Sequence, residues 1–382
     1  MRFWKHGTIA LLALSAALPA YAQEEVPTVE IRKENSGAGT TSAEFLLMGA
    51  GARGMAIGPA FAALTRDVES LFYNPAGLPL MSGMEMGFTM MPYFADTNYL
   101  WAGVAMPLAG GEYGFGLSVA NFGFSDVPIY TEEDPTGTSE LTYGVNETVL
   151  GLSFAHAFID RFTAGVTLKM ISDRLGQTSA NTFALDVGTN YHSELGGRPI
   201  NLAFVIQNLG GSLKHAGAGL DFANFPASSD PSYPSQPVDP MPARYEAQAS
   251  AIPVVFRVSL AYDALSSAAS RLSLLGEFNE YYNVGSSVGG GAEYAFTPEG
   301  LPFSAALRGS YSYQPDNKLS GEEERDWAGR TSVDGEGMDG VTLGGGLAFN
   351  MSESYALKAD YAWRNFGVLG TRNVFSVGFA WR

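Results

Sequence analysis

From about residue 83 to the end of the chain, apolar and polar side chains alternate with a period of two. The clearest stretch is 354–364, where Tyr355, Leu357, Tyr361 and Trp363 alternate with polar and charged residues. Alternation of this kind predicts β-strands with one apolar and one polar face, because successive side chains point to opposite sides of a strand. Each predicted segment has about ten residues or slightly more, which is the length that a tilted strand needs to cross a membrane.

The number and spacing of these segments predict a barrel. Fourteen strands are predicted, at residues 83–93, 98–108, 112–124, 142–156, 162–173, 180–192, 199–209, 252–263, 270–282, 285–296, 303–313, 340–349, 353–363 and 372–382. The longest connections, 125–141, 210–251 and 314–339, are the third, seventh and eleventh, so all three leave one end of an up-and-down barrel. Transmembrane barrels typically have long loops at one end and short turns at the other. The predicted fold class is therefore all-β, a 14-stranded antiparallel transmembrane β-barrel of the bacterial outer membrane with its long loops outside the cell.

Charged residues interrupt the predicted strands on the face opposite to the apolar side chains. If the apolar faces contact outer-membrane lipid, these charges line the interior: Lys169, Asp186, Arg257, Glu277, Glu293, Arg308, Lys358 and Asp360. Both signs are represented, so the residues could pair around a plug or line an aqueous passage. The segment ahead of the first strand favours the plug.

The N-terminal 80 residues have a different character from the barrel. Residues 1–22 are expected to be a signal peptide, because basic residues precede a short apolar stretch and a small-x-small cleavage site. Residues 23–36 follow as an N-terminal extension, and residues 81–382 form the barrel. The segment 37–80 lacks alternation and is rich in Gly and small side chains, which permit close packing in a confined space. It is predicted to be a partly helical plug, or hatch, with short helices at 42–48 and 59–72.

Four short runs in this segment carry a family resemblance: 41–46 (TSAEFL), 49–58 (GAGARGMAIG), 62–68 (AALTRDV) and 74–78 (NPAGL). Together with 369–379 at the other end of the chain, they resemble the PorV/PorQ family of bacterial outer-membrane proteins, within the wider FadL-like barrel superfamily. The resemblance implies a fourteen-stranded barrel with an N-terminal hatch. It assigns a hatch motif to Phe45, Met48, Arg53, Gly54, Asn74, Pro75, Gly77 and Leu78.

Composition excludes several classes of function. The formal net charge of −17 argues against nucleic acid as a partner, and the absence of Cys excludes thiolate metal sites and thiol nucleophiles. The run 49–54 fits a dinucleotide fingerprint by letter, but it lacks the surrounding βαβ unit. Ser286 and Ser287 lie between glycines as in a nucleophile elbow, yet no His follows His215 to complete a triad. No catalytic residue and no cofactor are predicted, and the chain is not expected to be an enzyme.

The acidic residues are concentrated in the predicted external loops, where solvation is the simplest interpretation. Two carboxylate clusters, at 132–134 and 334–339, leave divalent cation binding open, although no complete ligand loop is visible and no metal site is assigned.

Three functions are compatible with this architecture. PorV-like proteins work in type IX protein secretion, so the resemblance implies an accessory that binds secretion-machinery proteins or exported cargo. FadL-like proteins pass hydrophobic small molecules, so a channel for the uptake or export of such a compound is the alternative. A structural outer-membrane protein without a transport role is the second alternative.

Overall fold

The structure, a computed structural model, describes residues 40–130, 132, 134–137, 142–224, 241–282, 285–313, 340–366 and 370–381. The predicted signal peptide and N-terminal extension lie outside the described residues. Within the described part of the chain, no helix is both long and apolar enough to cross a membrane.

Fourteen long strands form the wall of the molecule. They are β1 (Met84–Pro92), β2 (Asn98–Leu108), β3 (Tyr113–Pro128), β4 (Thr142–Ile159), β5 (Phe162–Leu175), β6 (Thr178–Leu195), β7 (Arg198–Gly210), β12 (Val255–Ser266), β13 (Ser270–Tyr281), β14 (Gly285–Phe296), β15 (Phe303–Tyr313), β16 (Val341–Asn350), β17 (Tyr355–Asn365) and β18 (Thr371–Trp381). Each pairs antiparallel with its neighbours, and β1 pairs with β18, so the sheet closes into a barrel. The prediction of a 14-stranded antiparallel barrel is confirmed.

The connections divide the barrel into two ends. The turns β2–β3, β4–β5, β6–β7, β12–β13, β14–β15 and β16–β17 are short and lie at one end, called here the short-turn end. The connections after β3, β7 and β15 are the long ones, and they share the opposite, long-loop end. Most predicted strand boundaries agree within three residues, but β3 extends four residues beyond its predicted end at 124.

The connection after β7 contains structure that the alternation pattern did not predict. The described residues of this connection contain four short strands: β8 (Ser212–Leu213), β9 (Asp221–Asn224), β10 (Met241–Arg244) and β11 (Ser250–Ala251). β8 pairs with β11, and β9 with β10. Thr41 bridges to Ala251, and the Ser42 amide donates to the Ala251 carbonyl oxygen at 2.9 Å. The described part of the hatch therefore begins at the long-loop end.

The two faces of the wall differ as alternation requires. Large apolar side chains such as Leu150, Leu168, Leu347 and Val377 are about half exposed on the outer face. Nearly all of the large buried apolar side chains belong instead to the hatch or to the inner face that contacts it. The hydrophobic core of this protein thus lies inside the barrel, around the hatch.

Short helices account for most of the hatch. They are two α-helices, α1 (Ala52–Ile57) and α2 (Ser70–Tyr73), and three 3₁₀ helices, η1 (Glu44–Leu47), η2 (Pro59–Ala63) and η3 (Pro75–Leu80). Two further 3₁₀ turns, η4 (Ala109–Gly111) and η5 (Ala218–Leu220), lie in the connections between strands. Because the chain passes from η3 directly to the start of β1, the hatch ends at the short-turn end.

The prediction of one helix over 59–72 is wrong. The chain leaves helical structure after Ala63 and re-enters it at Ser70. Asp67 explains the break, because its carboxylate accepts the Glu69 amide at 3.0 Å and so competes with the helical hydrogen bond of that amide. The helix predicted at 42–48 is the single turn η1, and α1 was not predicted.

Candidate functional site

Arg53, on α1, joins the hatch to the barrel wall. Its Nε and Nη2 atoms donate to the two carboxylate oxygens of Glu293 on β14, each at 2.8 Å. Its Nη1 atom donates to Asp67 of the hatch at 2.6 Å. A planar guanidinium that makes a two-point contact with one carboxylate fixes orientation as well as position. Arg53 therefore ties α1 to one side of the barrel.

The wall supplies further ion pairs beside this contact. Arg308 donates to Glu293 at 2.7 Å and also to Asp360, and Lys358 donates to Glu85 at 2.7 Å. A cavity of about 260 Å³ lies between these residues and the hatch and reaches the short-turn end near Thr297. Four cationic and five carboxylate side chains line it, so the cavity suits water and small ions rather than an apolar molecule.

Glu69, which the sequence analysis did not single out, lies at the hatch side of this cavity. Its carboxylate accepts the Gly54 amide at 2.7 Å, and the absence of side chains at Gly51 and Gly54 leaves the space that it occupies. Burial raises the pKa of Glu69 well above its ordinary value, and the charges of Asp67 and Asp360 raise that pKa further. In the sequence, Glu69 is marked only by its position three residues before Phe72 and Tyr73. That spacing does not distinguish a buried Glu from one on the surface.

Asn74 connects the other half of the hatch to the wall. Its Nδ2 atom donates to the carbonyl oxygens of Ala62 at 3.0 Å and Thr189 at 3.2 Å, and its Oδ1 atom accepts the Ala76 amide at 3.1 Å. The side chain is fully buried and caps η3. Pro75 at the first position of η3 lacks the N–H that would otherwise need a partner. Residues 74–78 (NPAGL) therefore form the N-terminal cap and first turn of η3, and they also attach η3 to the barrel wall.

Glycines in the wall create the space for η3. A side chain at Gly188 would lie 2.1 Å from Asn74 Oδ1, one at Gly165 2.7 Å from the Pro75 carbonyl carbon, and one at Gly114 2.4 Å from Leu78 Cβ. Thr163 donates to the Ala76 carbonyl oxygen at 2.7 Å. η3 thus packs directly against the backbone of β3, β5 and β6.

An apolar pocket lies between the hatch and the strands β2–β5. Its hatch side is formed by Phe45, Leu46, Leu71 and Phe72, and its wall side includes Tyr99, Trp101, Ser118, Ala120, Val149, Gly151 and Lys169. The pocket encloses only about 20 Å³, close to the room for one water molecule. Tyr99 and Trp101 are nearly fully buried and face the lumen, where barrel strands usually present polar residues. Trp101 also borders the charged cavity, so one side chain separates the two spaces.

Aromatic side chains continue this apolar surface toward the long-loop end. The ring of Tyr93 lies 6.0 Å from that of Phe122 and 5.3 Å from that of Phe366. Arg364 lies 4.6 Å from the centre of the Phe366 ring, and Arg372 lies 5.8 Å from that of Tyr93. The mouth on this side of the barrel is therefore aromatic, with two guanidinium groups against the rings.

The predicted lumen charges all lie on the inner face of the wall, in three groups. Glu293, Arg308, Lys358 and Asp360 form the network beside Arg53. Lys169 pairs with Asp186 at 2.7 Å and donates to Asn208 at 2.7 Å. Arg257 donates to Asn279 at 2.8 Å, and Glu277 lies close to Gly289. The sequence predicts that these residues lie on the inner face, but it does not indicate which of them form pairs.

Most residues of the predicted hatch motif are buried and pack inside the barrel. Phe45, Met48, Gly54, Asn74, Pro75, Gly77 and Leu78 are all buried, whereas Arg53 is partly exposed to the charged cavity. Gly77 is required because a side chain there would lie 2.5 Å from the Thr65 carbonyl oxygen. The motif thus serves to fold and anchor the hatch.

The two carboxylate clusters of the external loops, at 132–134 and 334–339, fall largely outside the described residues. Asp334, Glu336, Asp339 and Glu133 lie outside the described residues. Among the residues that are described, no three His, Asp or Glu side chains lie close enough together to hold a metal ion.

Comparison with known proteins identifies the class of fold. The chain matches no protein-family model and no curated protein. A solved variant of TodX, a monoaromatic hydrocarbon channel whose parent is from Pseudomonas putida, is 10% identical with a TM-score of 0.50 over 87% of this chain and 98% of that one. TbuX, the toluene transporter of Ralstonia pickettii, is 11% identical (TM-score 0.48, 88% and 98% covered). A FadL homologue of Pseudomonas aeruginosa is 12% identical (TM-score 0.45, 91% and 98% covered).

The chain accordingly shares the fold of the TodX variant, a closed fourteen-stranded antiparallel barrel. The predicted fold class is confirmed, and a closed barrel with apolar side chains on its outer face is what the predicted outer-membrane location requires. Membership of the PorV/PorQ family and of the wider FadL-like superfamily stays a prediction.

Proposed function

We propose that this barrel is a channel that passes a small hydrophobic compound across the outer membrane. The observation that carries the proposal is the apolar pocket between the hatch and β2–β5, with Tyr99 and Trp101 on its wall side. Pockets for hydrophobic ligands are lined mainly by apolar and aromatic side chains with few polar groups, as here. A passage for polar solutes would instead need polar side chains at these positions of the lumen.

The closed hatch agrees with a selective channel rather than an open pore. The hatch fills the lumen between the aromatic mouth and the charged cavity, and the pocket is too small to hold a ligand without movement of neighbouring side chains. A compound that enters must therefore displace part of the hatch. The fold that the chain shares with TodX, a monoaromatic hydrocarbon channel, supports the same class of compound.

The proposal is tested by uptake into intact cells. A host strain producing the barrel and the same strain with an empty vector are compared for uptake of radiolabelled toluene and of radiolabelled sucrose. We expect faster uptake of toluene and unchanged uptake of sucrose. Equal toluene uptake by both strains, with the barrel present in the outer membrane, would contradict the proposal.

A role in type IX secretion is the second candidate, favoured by the resemblance of 41–54 and 74–78 to PorV/PorQ proteins. In this role the external loops would bind secretion-machinery proteins or cargo. If it is correct, deletion of the gene lowers the amount of secreted cargo at the cell surface, and co-purification from native membranes recovers the partner. The purely structural role remains only if both the uptake and the secretion tests are negative.

A further inference from the structure

Two guanidinium groups lie side by side at the long-loop mouth of the barrel. Arg364 near the end of β17 and Arg372 near the start of β18 are register partners across the two strands. Two residues along each strand, Ala362 and Val374 are fully buried inside the barrel, so alternation places both arginines on the inner face. Like charges directly opposite each other on neighbouring strands repel. The two arginines therefore need a compensating negative charge.

The cationic side chains of the charged cavity have this compensation, whereas the two at the mouth do not. In the cavity each cation contacts a carboxylate, as Arg308 contacts Glu293 at 2.7 Å. Within the described part of the chain, no carboxylate forms an ion pair with Arg364 or Arg372. The positive charge of the mouth is thus left for a ligand to neutralise.

Both guanidinium groups also keep most of their hydrogen-bond donors available. Arg364 Nη1 donates to the Met48 carbonyl oxygen at 3.4 Å, and Arg372 Nη1 donates to the Thr371 carbonyl oxygen at 2.7 Å. The Nε atom of Arg372 is buried and has no hydrogen-bond partner among the described residues. A guanidinium carries five N–H donors in one plane, and a carboxylate accepts two of them at once. A carboxylate is therefore the group that this site suits best.

Aromatic rings hold the two guanidinium groups and extend the site. Arg364 lies 4.6 Å from the centre of the Phe366 ring, and Arg372 lies 5.8 Å from that of Tyr93. Such contacts use the face of the guanidinium and leave its N–H groups available at the edge. The rings of Phe366 and Phe122 meet that of Tyr93 edge-on, at 5.3 and 6.0 Å. These three rings offer edge-to-face contacts to a further aromatic ring.

From this arrangement we propose that Arg364 and Arg372 bind the carboxylate of an aromatic acid, whose ring lies against the three aromatic rings of the mouth. Phe122, one of these rings, is the register partner of Tyr99, which lines the apolar pocket. The bound ring therefore lies where the apolar surface toward the pocket begins. For the passage that follows binding, this inference rests on the proposed function, and it adds aromatic acids to the compounds that the channel accepts.

The first experiment measures binding of radiolabelled benzoate to the purified barrel in micelles by equilibrium dialysis. The variants are Arg364→Gln and Arg372→Gln, and the matched control is Arg174→Gln, because Arg174 is exposed at the same end of the barrel, on β5. We expect each mouth variant to bind benzoate about tenfold more weakly or worse, since each loses charge-assisted hydrogen bonds, and the control to bind as the wild type does. Unchanged binding by both mouth variants, or no binding by the wild type, would overturn the proposal.

Competition with three unlabelled compounds tests the chemistry of the ligand. Cyclohexanecarboxylate has the charge and nearly the size of benzoate without the aromatic ring, toluene has the ring without the charge, and inorganic phosphate has charge alone. We expect each of them to displace labelled benzoate less effectively than unlabelled benzoate does. Displacement by phosphate or cyclohexanecarboxylate at the same concentration as benzoate would contradict a site for aromatic acids.

Urea unfolding separates loss of the site from loss of the fold. Without ligand, Arg372→Gln removes one of two like charges, so we expect it to be at least as stable as the wild type. Benzoate should raise the unfolding midpoint of the wild type and of Arg174→Gln but not that of Arg372→Gln, because a ligand stabilises only the folded state that binds it. An equal rise in all three proteins would show that benzoate acts elsewhere and would overturn the proposal.

The outcome is separable from the proposed function, because binding is measured without transport. Benzoate binding that requires both arginines, in a barrel that does not accelerate toluene uptake, supports the site and contradicts the channel. Faster toluene uptake by cells, with no benzoate binding by the purified barrel, supports the channel and contradicts the site.

Discussion

At the scale of single residues, Asn74 shows how a short sequence motif performs a structural task. Its amide satisfies two carbonyl oxygens and one backbone amide, and one of these partners belongs to the wall. The sequence places Asn74 in the hatch motif and predicts that the preceding helix ends at residue 72, and α2 ends one residue later, at Tyr73. The contact with Thr189 could not be predicted, because the two residues are 115 positions apart and nothing local relates them.

Replacement of Asn74 by Ala tests this task. The substitution leaves three buried backbone groups without their partner, so we expect a loss of about 2–4 kcal/mol in the free energy of unfolding. Thermal or urea unfolding of the barrel in micelles measures the loss. Asn98→Ala, at an exposed position, serves as the control and should change stability little. Equal stability of both variants would show that Asn74 is not an anchor.

Glu69 gives a prediction about pH. Burial raises its pKa in the folded protein above the ordinary value of 4.5. The folded state therefore binds a proton more tightly than the unfolded state, and this group's contribution to stability is lost as pH rises through the folded pKa. We expect Glu69→Gln to become more stable relative to the wild type as pH rises from about 4.5 to about 8. Unfolding of both proteins across this range measures the difference; exposed Glu353→Gln should show none, and a constant difference for Glu69→Gln would contradict the assignment.

At the scale of elements, the hatch folds by contact with the wall more than by local preference. α1 has six residues and α2 has four, too few to be stable alone. The sequence predicts one helix over 59–72, but the Asp67 side chain interrupts it. The strands were easier to predict, since alternation extends over ten or more residues and does not depend on a distant partner.

The close approach of η3 to the wall is tested by Gly188→Ala. An added methyl group would lie 2.1 Å from Asn74 Oδ1, so η3 must shift, and we expect a loss of ~1–3 kcal/mol of stability. Gly276→Ala on β13 is the matched control, because nothing lies within 4 Å of its ideal Cβ. Unfolding in micelles compares the two. A stability of Gly188→Ala equal to that of the control would contradict direct contact between η3 and β6.

At the scale of the whole molecule, the barrel places its apolar side chains on the lipid face and around the hatch. The alternation of apolar and polar residues was sufficient to predict the number of strands and their closed antiparallel order. It also predicted that the three long connections lie at one end of the barrel. The candidate site was predicted only as separate sets of charges and hatch residues. The pairing of Arg53 with Glu293 depends on how the hatch lies within the closed barrel, which no local pattern encodes.

The membrane-embedded outer face is tested by two Arg substitutions at different depths. Leu168, in the middle of β5, and Leu195, at the short-turn end of β6, are both exposed on the outer face. We expect Leu168→Arg to lose about 2–4 kcal/mol and Leu195→Arg about 0–1 kcal/mol, because the cost of a charge falls from the bilayer centre to the interface. Urea unfolding from phospholipid vesicles measures both. Equal losses would contradict a lipid-facing belt.

The central claim is that a hydrophobic compound crosses the barrel through the apolar pocket beside Trp101. Its most direct test fills that pocket. Ala120 lines the pocket on β3, whereas Ala102 lies on the lipid face of the adjacent β2 and pairs with Val119. Uptake of radiolabelled toluene is measured in cells that contain equal amounts of the wild-type barrel, Ala120→Phe or Ala102→Phe. The account predicts loss of uptake for Ala120→Phe alone; unchanged uptake by that variant would contradict it.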